Sequence, residues 1–154
     1  MPSKLKFGSY LTYYTKKAET DEEKKERNVL DSVKSEGFIG EPPRAMSHFL
    51  VEKLETEMRL LPFKDFFSEN TCLVPVPKSS LMQSNTLWVP EKYSKALSEK
   101  SFGRNFPCLE RKEAVAKAAF CKSAKDRPRV QDHYNSIKMR SILAPVQMER
   151  IVLI

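Results

Sequence analysis

The residues with the clearest chemical use are Lys78, Ser79 and Ser80, which close the run Cys72-Leu73-Val74-Pro75-Val76-Pro77. A lysine at the end of a strand offers a point charge to phosphate or pyrophosphate, and arginine adds a planar fork. Further cations follow: Arg111, Lys112, Lys117, Lys122, Lys125, Arg127 and Arg129. They fall after predicted strands and not on one helical stripe. The plainer reading of any single one is a solvated basic surface. Glu110, Asp126 and Asp132 qualify for paired-carboxylate chemistry by position only. His48 and His133 are the only histidines, and there is no serine-triad signature, no C-x-x-C and no H-E-x-x-H. No residue set with metal-ligand spacing stands out.

To serve as a site, the turn at Lys78, Ser79 and Ser80 must be delivered by a strand. A short apolar run bounded by turn signals predicts a buried strand. Its prolines lack ladder donors. They fit if the strand ends at Val76, with Pro75 facing an unpaired side and Pro77 opening a loop. Ligands bind at such carboxyl ends in open α/β sheets. The plainer reading is a core strand followed by a surface turn.

Other elements can be placed around it. Phe7, Tyr10, Tyr13 and Tyr14 make residues 5–14 an aromatic strand or arm. Thr20-Asp21-Glu22-Glu23 is a capping box, which predicts a helix to about Ser35 that stops at Gly37. Pro43 is expected as an early helical residue. Met46, Phe49, Leu50, Leu54 and Met58 then recur at helical spacing to about Leu61. His48 lies off that stripe and is expected in solvent. Phe63, Phe66 and Phe67 form an apolar hinge. Residues 81–87 read as a polar loop, and Pro90 starts a helix to about Ser101 with Tyr93, Ala96 and Leu97 inside. Residues 106–109 read as a second strand. The alanines of residues 114–125 predict a helix, which Arg127-Pro128-Arg129 breaks. Ile137-Lys138-Met139 reads as a strand, and Ile151-Val152-Leu153-Ile154 as a buried one.

The 154 residues allow one domain, with 1–67 as arm and helices and 68–154 as the α/β core. A net charge of +7 favours anionic partners, from small phosphates to nucleic acid. Cys72, Cys108 and Cys121 are too dispersed for a disulfide scaffold and fit reduced thiols in a cytoplasmic protein. No apolar run approaches a membrane span, and the first residues lack a signal-peptide core. Four glycines and no phosphate-loop or dinucleotide fingerprint argue against those nucleotide-binding chemistries.

Leu73-Val74-Pro75-Val76-Pro77, Leu87-Trp88-Val89-Pro90, Cys108-Leu109-Glu110-Arg111, Lys117, Arg127-Pro128, His133-Tyr134-Asn135-Ser136 and Glu149-Arg150-Ile151-Val152-Leu153-Ile154 occur in one order. In that order and spacing the chain resembles the ComF-like type I phosphoribosyltransferases, over nearly its whole length. The resemblance implies an α/β fold, a mainly parallel twisted sheet flanked by helices, with a flexible hairpin over the site. It implies pentosyl transfer from 5-phosphoribosyl 1-pyrophosphate with Mg²⁺, through an oxocarbenium-like transition state whose departing charge must be neutralised. Lys78, Ser79 and Ser80 then correspond to the pyrophosphate loop, with Arg111 and Lys112 as substrate contacts. Lys117, Arg127 and His133 become catalytic candidates in the mobile region.

In the family, the strand matching Ile151-Val152-Leu153-Ile154 runs into two adjacent acids and a Thr- and Gly-rich loop that cradles the ribose 5-phosphate. These 154 residues do not include that loop. The expectation is therefore an incomplete phosphoribosyltransferase fold, inactive alone, with an open strand edge that favours a homo-oligomer or a completing partner chain. Two rivals stand beside it. One is a basic module that binds nucleotides or nucleic acid without catalysis. The other is an interaction protein that pairs through its last strand.

Overall fold

The computed structural model describes residues 8–9, 20–117, 120–141 and 149–154. Most of the expected aromatic arm lies outside them. Within them the chain is mixed α/β, with four α-helices and a three-stranded parallel sheet.

Helix α1, Asp21–Ser35, begins as its sequence dictates. Thr20 Oγ1 accepts from Glu23 N–H at 3.2 Å, and Glu23 Oε2 accepts from Thr20 N–H at 3.1 Å. The stop comes one residue before Gly37: Glu36 itself takes the left-handed conformation, φ +52°. Its carboxylate is held by the hydroxyl and N–H of Ser47.

A two-residue hairpin follows, β1 (Phe38–Ile39) against β2 (Arg44–Ala45). Helix α2, Met46–Glu57, therefore starts three residues beyond Pro43, which lies in the hairpin turn and not in the helix. The anticipated stripe does face inward at Met46, Leu50 and Leu54, joined by Ser47 and Val51. Phe49 instead sits partly exposed beneath the cations of Arg44 and Lys53. His48 is half exposed and meets Glu99 Oε2 at 3.1 Å.

Strand β3, Thr71–Val74, is buried at every residue and forms the centre of the parallel sheet. Strand β4 (Arg104–Asn105) lies on one side and β7 (Arg150–Leu153) on the other. Parallel neighbours need a crossover, and α3, Val89–Glu99, supplies it between β3 and β4. The core forms where Leu73 and its face meet Val51 and Leu54 of α2, Ala96 and Leu97 of α3, and Phe63. The three phenylalanines of the expected hinge form one aromatic group, Phe67 reaching Phe102 at 5.6 Å between ring centres. Ser94 ties α3 to the sheet, its hydroxyl 2.7 Å from Asn105 Oδ1 and 3.2 Å from Leu73 O. Close approach of β4 to β3 requires Gly103: a Cβ there would stand 2.7 Å from Thr71 O, at a φ of +154°.

Four expectations need correction. Residues 106–109 are not a strand of the main sheet. That position is held by β4, while β5 (Leu109–Arg111) pairs antiparallel with β6 (Ile137–Met139). Residues 113–117 are not helical, and 118–119 lie outside the described residues; Phe120 is in 3₁₀ conformation, and a 3₁₀ turn, Ala124–Asp126, follows. With no N-cap, alanine propensity alone does not hold a helix there. A short helix α4, Val130–Asn135, precedes β6, where no helix is expected from the sequence. Finally, β7 is an edge strand and only half-buried: Val152 packs against the core, while Ile151 and Leu153 are each 61% exposed.

Candidate functional site

The central strand ends one ladder step earlier than its sequence suggests, at Val74, yet its direction is kept. Ile154 N–H donates to Val74 O at 3.0 Å and Val76 N–H to Ile154 O at 2.9 Å. Along a strand, backbone groups alternate between neighbours, so Pro75 turns its missing donor to the β4 side. There the last bond is from Phe106 N–H to Leu73 O, 2.9 Å. Trp88, buried at the start of α3, donates its indole N–H to Val76 O at 3.0 Å. The strand is thus held straight until Pro77 and delivers the 78–80 turn beyond the sheet.

Three side chains and backbones then converge on that turn. Arg111 comes from β5 and is only 7% exposed. Its Nε donates to Lys78 O at 3.0 Å and its Nη2 to Pro77 O at 3.3 Å. Its Nη1 donates to Ser136 Oγ, and to His133 O at 3.3 Å. The Ser136 hydroxyl passes its own hydrogen to His133 O at 2.8 Å. Burial pulls the Arg111 pKa below the ordinary guanidinium value. Lys78 extends its ammonium along the loop to Leu87 O, 2.8 Å away. Ser79 O accepts from Val115 N–H at 2.8 Å.

These bonds orient the peptides. In a trans peptide the C=O and the following N–H point in opposite directions. The cis bond among the described residues is Glu41–Pro42, far from here. With the carbonyls of Pro77 and Lys78 turned to the guanidinium, the N–H groups of Lys78 and Ser79 face away from it. With Ser79 O turned to Val115, the N–H of Ser80 faces away from that contact. Among the described residues none of these three N–H groups donates in a backbone–backbone hydrogen bond.

The other residues singled out from sequence distribute as follows. Lys112 shares the cluster through its backbone, N–H to Ser136 O at 2.8 Å, while its side chain is exposed. His133 joins through its carbonyl, not its ring. Lys117 is exposed and lies 5.5 Å from the Phe120 ring centre. Arg127 is exposed at the end of the 3₁₀ turn. Among the described residues neither forms a hydrogen bond or ion pair with the 78–80 turn. Ser136 and Leu87 lie in the motifs of the resemblance, but neither they nor Val115 are site candidates from sequence, since their parts are played by one hydroxyl and two backbone groups.

Behind the cluster lies a cleft of about 480 Å³, lined by Glu113, Val115, Asp126, Pro128, Asp132 and Ser136 among others. Two of its carboxylates are engaged: Asp132 accepts from Arg129 N–H at 2.6 Å and Asp126 from the Ser123 hydroxyl at 2.8 Å. Its acidic lining repels phosphate, so an anion is better served on the N–H side of the turn. Among the described residues no group of three or more His, Cys, Asp or Glu is placed to hold a metal ion. Nor is any helix among them long and apolar enough to cross a membrane. Comparison with family models, with curated proteins and with solved structures returns no match.

Proposed function

We propose that the 78–80 turn is a seat for a diphosphate, in a chain whose organisation is that of a phosphoribosyltransferase-like protein. The observation that carries the reading is that the N–H groups of Lys78 and Ser79 turn together away from the guanidinium, at the carboxyl end of the central parallel strand. Successive N–H groups around a concavity stabilise oxyanions, and the Lys78 ammonium adds a full charge. The order of motifs along the chain supplies the link to pentosyl transfer from phosphoribosyl pyrophosphate.

The groups gathered at the turn, backbone N–H groups and one ammonium, address the diphosphate and not the ribose hydroxyls. A ligand held by its diphosphate alone gains nothing from its sugar. Calorimetric titration should therefore give phosphoribosyl pyrophosphate and inorganic pyrophosphate affinities within about threefold of each other, and no pyrophosphate release. Lys78→Ala should weaken both at least about tenfold, the loss of a charge-assisted hydrogen bond. Undiminished binding by that variant removes the turn as the seat.

A second reading has its own observation. Lys112, Lys117, Lys122, Lys125, Arg127 and Arg129 are exposed, and none of them is in the ion pairs of the described residues. Phe120 (80% exposed) and Tyr134 (75%) lie among them. Cations interleaved with open aromatic rings suit single-stranded nucleic acid, where phosphates pair and bases stack. That mode declares itself by affinity that falls steeply with salt and survives Lys78→Ala.

A further inference from the structure

We propose that Arg111 is a positioning residue for the diphosphate seat: by gripping the carbonyls of Pro77 and Lys78 it aims the N–H groups of Lys78 and Ser79 at the ligand. The inference rests on the reading of the 78–80 turn as that seat.

The first argument is the cost of the arrangement. Arg111 is 7% exposed and has no carboxylate among the ion pairs of the described residues. A buried cation without a counter-ion is expensive, and an apolar side chain of similar volume would fill the space more cheaply. What an apolar side chain cannot do is hold oxygen atoms. Arg111 holds four: Lys78 O, Pro77 O, His133 O and Ser136 Oγ.

The second argument is shape. The Nε and Nη2 hydrogens leave one side of the guanidinium together, and they meet the carbonyls of consecutive residues. Two adjacent peptide planes are thereby fixed by one rigid group. Nη1 reaches toward β6 and α4, to Ser136 and His133. Ser136 is itself locked, since it accepts from Arg111 and donates to His133 O. The turn after β3 is thus braced against a segment more than fifty residues further along the chain. A lysine could not replace this, because an ammonium has no planar fork.

The third argument is direction. Arg111 stands on the carbonyl side of the turn and the N–H groups of Lys78 and Ser79 on the other. It acts on the ligand only through the backbone, which separates it from Lys78.

The test measures pyrophosphate affinity of the full chain by calorimetry. Arg111→Met, which keeps apolar bulk, should lose at least about thirtyfold, and Arg111→Lys should recover little of it. In Arg111→Ala, millimolar guanidinium ion should restore affinity to within about threefold of wild type, where equal ammonium does not. A merely space-filling role would not respond to guanidinium. Should the Met and Ala variants fail to fold, Ser136→Ala, which loosens the guanidinium from behind, should cost about threefold. A wild-type protein that ignores pyrophosphate overturns the seat itself. A wild type that binds, with Arg111→Met or Ser136→Ala binding equally well, overturns only the role of Arg111.

Discussion

Cys72 sits in the middle of β3 at 1% exposure, and burial pushes its thiol pKa up; burial does the same to Cys108. A protonated, enclosed thiol is a poor nucleophile. In native protein at mildly alkaline pH, Cys72 should resist iodoacetamide while urea exposes it, which peptide mass mapping would read directly. Rapid labelling of Cys72 without denaturant would mean that the sheet opens readily. The same dependence on burial explains what was legible at this scale. Lys78, Ser79 and Ser80 could be placed from sequence because a turn signal follows an apolar run. The fate of Arg111 could not, because a buried arginine is created by what packs around it. Nothing in Leu109-Glu110-Arg111-Lys112 distinguishes the enclosed cation from the exposed one beside it.

Among the elements, the antiparallel pair β5–β6 carries its own electrostatic clasp. Glu110 Oε1 meets Lys138 Nζ at 2.7 Å and Oε2 meets Arg140 Nε at 3.0 Å. The hydrogen bond from Lys138, aided by that from Arg140, holds the Glu110 carboxyl below its ordinary value of 4.5. A lowered folded-state pKa stabilises above the unfolded value and is lost as pH falls through the folded one. Glu110→Gln should therefore lower the urea midpoint slightly at neutral pH, and the two proteins should converge in acid. A constant difference down to the acid limit would exclude the clasp. Elements with strong local signals were read correctly: α1 from its capping box, α3 from Pro90 and its inner face. The stretch at 114–125 failed because its helix signal was composition without a cap or an apolar face to bury. The pairing of β5 with β6 was hidden by distance along the chain, since local pattern says nothing about partners.

For the whole molecule, β7 decides how the surface behaves. It pairs with β3 on one side and shows Ile151 and Leu153 to solvent. Edge strands with open apolar residues promote association. Light scattering should show mass rising with protein concentration, and Leu153→Lys should suppress the rise. A wild type monomeric at all concentrations would show the strand to be adequately shielded. The parallel arrangement was foreseeable from the buried runs at 72–76 and 151–154, but the half-open face of the latter was not, because four apolar residues in a row carry no alternation to read. One further property belongs to the molecule as a whole. Its single tryptophan, Trp88, is buried with its indole bonded to Val76 O, one residue from the loop carbonyl that Lys78 reaches. The chain therefore contains a natural optical reporter: emission from this one ring senses the end of the central strand, without a label and without background from any other indole.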